Sequence, residues 1–119
     1  MRVTPPSFTK KNEPVTALDY ELAQERAATL GRLGRKLEST LAALRAFDET
    51  REPAASDRAN RKAERDSLVS DAGFALWNFV IQREVLGLRD SHAVMRDYGV
   101  PAEVQARMGA LPVNRRSRE

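Results

Sequence analysis

The chain has 119 residues, 41% of them apolar but only 6% aromatic, and a net charge of +3. That is one domain of ordinary size, with an Ala- and Leu-rich apolar set suited to small, closely packed helices. Cysteine is absent, which excludes a disulfide framework, a thiolate nucleophile and a cysteine-ligated metal.

The positive charge sits at the ends. Residues 1–15 carry Arg2, Lys10 and Lys11 against Glu13, and residues 110–119 carry Arg115, Arg116 and Arg118 against Glu119. Each end nets +2, so the total of +3 leaves −1 for residues 16–109. A near-neutral body argues against a broad basic binding face. Residues 1–15 hold Pro5, Pro6 and Pro14 and no apolar stretch of a secretory signal. They read as a flexible arm on a cytoplasmic protein.

Thr16 is a good N-cap, and Asp19 puts a carboxylate in the first turn that follows. A first helix is expected from Ala17 to Glu49. Ala23, Ala27, Leu30, Gly34, Leu37, Leu41 and Leu44 alternate in steps of four and three, a heptad-like seam widened by Leu33 and Phe47. Glu21, Glu25, Arg32, Arg35 and Lys36 make the solvated side. Gly31 and Gly34 stand out, because glycine inside a helix costs about 1 kcal/mol against alanine. Something bulky lying against that turn would explain them.

Arg51 to Ser56 breaks the helix at Pro53, and Ser56 can cap a second helix from Asp57 to Leu86. Gly87 suits the left-handed residue after its end. So short a loop joins antiparallel neighbours. Reflection through a turn near Pro53 sets Trp77 near Leu30 and Gly73 opposite Gly34.

The second helix carries the run Ala72–Ile81, in which nine of ten residues are apolar or glycine and only Asn78 is polar. It is oily on every side and too short to cross a bilayer, which takes about 20 residues. It therefore needs cover from more than one neighbour. Asp90 or Ser91 can cap a third helix from His92 to Tyr98, ended by Gly99, and Pro101 suits the first turn of a last helix reaching Met108. Residues 110–119 read as a disordered basic tail.

Candidate sites are few. His92 to Val104 is partly like a helix-turn-helix, but its second helix offers only Arg107 for phosphates. Arg58, Arg61, Lys62 and Arg65 share one helix face, which charge runs usually present to solvent. Arg83, Glu84, Arg89, Asp90 and Asp97 are expected to form a polar clasp at the Gly87 turn. A general acid/base site from Glu84, Asp90 and His92 is the weaker alternative. With a single histidine and no glycine-rich phosphate loop, no enzyme activity, cofactor or metal site is expected. Asn78 is either the one wet position on its helix or a register-setting amide in a symmetric interface.

Two strings carry a resemblance: L-W-N-F-V-I-Q-R-E-V-L-G-L-R-D over 76–90 and R-D-Y-G-V-P-A-E-V-Q-A-R-M-G over 96–109. Together with Leu30–Leu37 and Leu41–Phe47, they make the chain similar to a family of short proteobacterial helical proteins, a domain of unknown function. The resemblance implies no activity and transfers no site residue.

The expected architecture is all-α: a long antiparallel helical hairpin plus two short C-terminal helices, dimerising into a four-helix bundle. Residues 16–109 form its single helical domain. Leu30, Gly34, Leu37, Phe74, Trp77, Asn78 and Ile81 are its expected core and dimer interface. The expected function is structural or interaction-type, a homodimer that also binds a partner protein, without a membrane. The alternative is a nucleic-acid-binding regulator using segment 91–109 and the basic tails.

Overall fold

The computed structural model describes the backbone of residues 6–50 and 57–109, with side chains from Thr16 onward. Among these residues every element is helical: α1 (Pro6–Glu49), α2 (Arg58–Val85), α3 (Ser91–Tyr98) and α4 (Ala102–Arg107). Residues 1–5 of the expected arm, the helix-breaking segment 51–56 and the basic tail 110–119 lie outside them.

α1 starts eleven residues earlier than expected, at Pro6 rather than at Ala17 after a Thr16 cap. Proline has the fixed φ that a first helical turn requires, and its missing N–H is unneeded there. Pro14 then lies inside α1, where it forgoes one ladder hydrogen bond. At 1.5 Å per residue the 44 residues of α1 span about 66 Å, against about 42 Å for the 28 of α2. α1 therefore overhangs, and every residue from Thr16 to Ala28 is exposed.

The other ends follow local chemistry. After α2, Gly87 adopts φ +88°, and its N–H donates to the Glu84 carbonyl while that of Leu88 donates to Arg83. This crossed pair satisfies two carbonyls that the helix leaves open. The same pair recurs at Gly99, φ +61°, where Gly99 donates to Arg96 and Val100 to Met95. Asp90 caps α3, its Oδ1 accepting from the Ala93 N–H at 3.2 Å.

The core joins Leu37, Leu41 and Leu44 of α1 to Val69, Ala72, Ala75, Leu76, Phe79 and Val80 of α2. Val94, Val100 and Val104 close it from the C-terminal side, with Leu30, Leu33, Leu68, Met95, Tyr98 and Met108 packed around it. The α1 seam is thus internal from Leu30 to Leu44. Ala23 and Ala27 continue it in sequence but are exposed, because the overhang outruns its cover.

The turn falls where expected, between Glu49 and Arg58, yet the two glycines do not face each other. Gly34 lies under Phe79 and the Tyr98 hydroxyl, and Gly73 lies under Arg107. Helical side chains lean toward their own N-terminus, so the Phe79 ring covers α1 about one turn away from the level of its own Cα. Gly73 points to α4, on a different side of α2. The Phe79 and Tyr98 rings meet edge to face at 5.3 Å. The bulk inferred at Gly34 is therefore these two rings. At Gly31 the nearest such atom is the guanidinium of Arg35, so the same inference fails there.

Candidate functional site

Among the described residues α3 and α4 lie over one groove of the hairpin, and the opposite groove is open. That groove, about 360 Å³, is lined by Lys36 and Thr40 of α1 and by Asp71, Phe74, Ala75 and Asn78 of α2. Asp71, Phe74, Asn78, Ile81 and Val85 recur in steps of three and four, so they form one stripe on the outside of α2, and Leu88 follows beyond the Gly87 turn. Phe74 is 43% exposed, Ile81 40%, Val85 69% and Leu88 44%. The overhang adds Leu18 and Leu22, also exposed. Soluble surfaces carry scattered apolar side chains, but a contiguous row of them marks a contact.

The seven residues expected at the interface divide accordingly. Leu37 is fully buried, Gly34 lies beneath the two rings, and Leu30 packs on the core. These three belong to the interior of a single chain. Phe74 and Ile81 face outward, and Trp77 and Asn78 are half-buried. Among the described residues the run Ala72–Ile81 thus has cover on two sides, while Phe74 and Ile81 stay exposed on the third.

The expected clasp forms only in part. Arg83 donates to the Asp90 carbonyl at 3.4 Å and lies over the Phe79 ring at 5.9 Å, while the Asp90 carboxylate is used as the α3 cap. Glu84, Arg89 and Asp97 are exposed, and among the described residues their side chains make no hydrogen bond or ion pair with each other. They sit where water solvates them more cheaply than a partner does. His92 is exposed in the first turn of α3. Among the described residues no three His, Cys, Asp or Glu gather as metal ligands. No described helix is long and apolar enough to cross a membrane.

The ionic clasp that does form lies at the other end. Arg65 of α2 donates from Nε and Nη2 to both oxygens of Asp48 on α1, at 2.7 and 3.0 Å. It also donates to both oxygens of Glu103 on α4, at 2.9 and 2.6 Å. One guanidinium fork thus joins three helices. Those hydrogen bonds hold the Asp48 and Glu103 carboxyls below the usual range and push the Arg65 guanidinium up. Arg107 of α4 bonds Ser70 and the Asp66 carbonyl. Arg61 stacks on Phe47 at 4.0 Å and donates to its carbonyl at 2.9 Å, which ties the end of α1 to α2. Lys62 pairs with Asp66 at 3.4 Å. Arg61 and Arg65 of the basic stripe are therefore struts between helices, while Lys62 pairs within α2. Near Gly34, burial pushes the Tyr98 hydroxyl up.

Arg65→Met is expected to cost about 1 kcal/mol, since the pairs are half-exposed. The loss has a sign in pH. Carboxyls lowered in the folded state stabilise it above their unfolded pKa, near 4, and lose that contribution as pH falls through the folded values. Urea midpoints of the wild type should therefore drop more steeply below about pH 4 than those of the variant. Parallel acid profiles would contradict the assignment.

Hairpin, capping helices and open groove define an all-α protein with an unpartnered outer helix face and no metal cluster among the described residues. The chain belongs to the family of unknown function DUF6665, whose family model matches residues 7–116. No curated protein and no solved structure matched it.

Proposed function

We propose that the chain is a small cytoplasmic interaction protein that self-associates, two hairpins closing their open grooves on each other as a four-helix core. The outer stripe of α2 supports this most directly. Phe74, Ile81 and Val85 follow coiled-coil spacing on a surface left exposed among the described residues. Asn78 sits in that stripe, a polar residue of the kind that sets register at a modest loss of stability. A nucleic-acid-binding reading is less favoured, because the α4 side chains it would use are engaged elsewhere. Glu103 holds Arg65, Arg107 holds Ser70 and Asp66, and Gln105 donates to the Val100 carbonyl.

Val85→Glu tests the proposal with little risk to the fold, as Val85 is the most exposed of these residues. Light scattering of the wild type should give twice the chain mass. The variant should give the single-chain mass with an unchanged helical circular dichroism spectrum. A wild type that stays monomeric at about 100 μM, weaker than about −5.5 kcal/mol of association, refutes the proposal.

A further inference from the structure

Granting this self-association, we infer that α1 of each copy lies along α2 of the other, joined by a Lys36–Asp71 ion pair between copies, about a two-fold axis parallel to the helices. Leu22, Arg26, Thr29, Leu33 and Lys36 recur in steps of three and four, so they share the groove side of α1. Val85, Ile81, Asn78, Phe74 and Asp71 share the groove side of α2. Counting outward from Glu49 and Arg58 at the turn puts the two rows level. Leu22 stands level with Val85, Arg26 with Ile81, Thr29 with Asn78, Leu33 with Phe74, and Lys36 with Asp71.

Four of the five levels match in chemistry, with two apolar pairs, one pair of hydrogen-bonding side chains, and one cation with one anion, and the fifth sets Arg26 against Ile81. A two-fold axis parallel to the helices preserves height, so each row meets the complementary row of the second copy. An axis perpendicular to the helices reverses heights and sets Lys36 away from Asp71. Within one chain both residues line the groove, yet among the described residues neither has an ion-pair partner. The arrangement also covers Leu22, level with the end of α2.

The test mixes two single variants, Lys36→Asp and Asp71→Lys. Each alone places like charges against each other at both contacts, and its dimer should dissociate about tenfold more readily. Mixed together, the two variants have complementary charges at both contacts. They should form a heterodimer within about threefold of wild-type affinity, read by analytical ultracentrifugation with one variant labelled. A contact inside one chain cannot produce that preference. If the wild type dimerises but the mixture shows no preference for the heterodimer, this pairing is wrong and self-association stands. If the wild type is monomeric, both proposals fall together.

Discussion

Replacing Leu76 with alanine is expected to cost about 3–4 kcal/mol of folding stability, a large part of what a domain of this size holds. Leu76 is fully buried in the middle of α2. It belongs to the cluster that joins α2 to Leu37, Leu41 and Leu44 and to the three C-terminal valines. Truncation removes its transfer free energy and leaves a cavity, and the final loss depends on how far the walls can close. Here they have little freedom. Gly73, one turn before it, is held against the α4 backbone, and Phe79, one turn after it, is wedged between Gly34 and Tyr98. Urea denaturation followed by circular dichroism measures the loss. Phe74→Ala on the same helix should change monomer stability by less than about 1 kcal/mol, because its ring is half in water. A Leu76→Ala loss under about 1 kcal/mol would mean that the core is not organised around this position.

What sequence reasoning could reach follows from the range of each interaction. The ends of α2 and α3 were legible because their causes are local. Gly87 and Gly99 supply positive φ, and Asp90 caps α3 through an N–H three residues on. The Leu37–Leu41–Leu44 seam was legible from its period. The start of α1 was not, since the prolines that suggested an arm also suit a first turn. Arg65 was visible only as one of four basic residues on a helix face. Its partners lie 17 and 38 positions away, and nothing in the spacing of Asp48 or Glu103 marks them. The polar residues near Gly87 looked more like a clasp because they are close in sequence, whereas the fold leaves most of them in water. The candidate interface was half legible. An all-round oily run showed that cover was needed, but only the placement of α3 and α4 shows that Phe74, Ile81 and Val85 lie on the side left exposed among the described residues.

Gly73→Ala is expected to destabilise the protein, against the usual direction of such a change in a helix. Alanine in place of a mid-helix glycine normally gains about 1 kcal/mol. At Gly73, however, an added Cβ would lie 2.8 Å from the Cβ of Arg107 and 3.1 Å from its backbone carbon and oxygen. The obstacle is largely backbone, so the neighbour cannot simply swing away. α4 has to move outward. That shift pulls Val104 from the core and strains Arg107 against Ser70 and Glu103 against Arg65. Overpacking of this kind costs about 1–3 kcal/mol, which exceeds the gain in helix propensity. Gly31→Ala provides the opposite sign on α1. Its Cβ would meet only the flexible head of Arg35, at 3.4 Å, so it should stabilise by about 0.5–1 kcal/mol. Thermal and urea unfolding of the two variants side by side separate the effects, because both make the same chemical change in a helix interior. Equal stabilisation of both would show that α4 does not rest on Gly73, and the closure of the core by Val104 would fail with it.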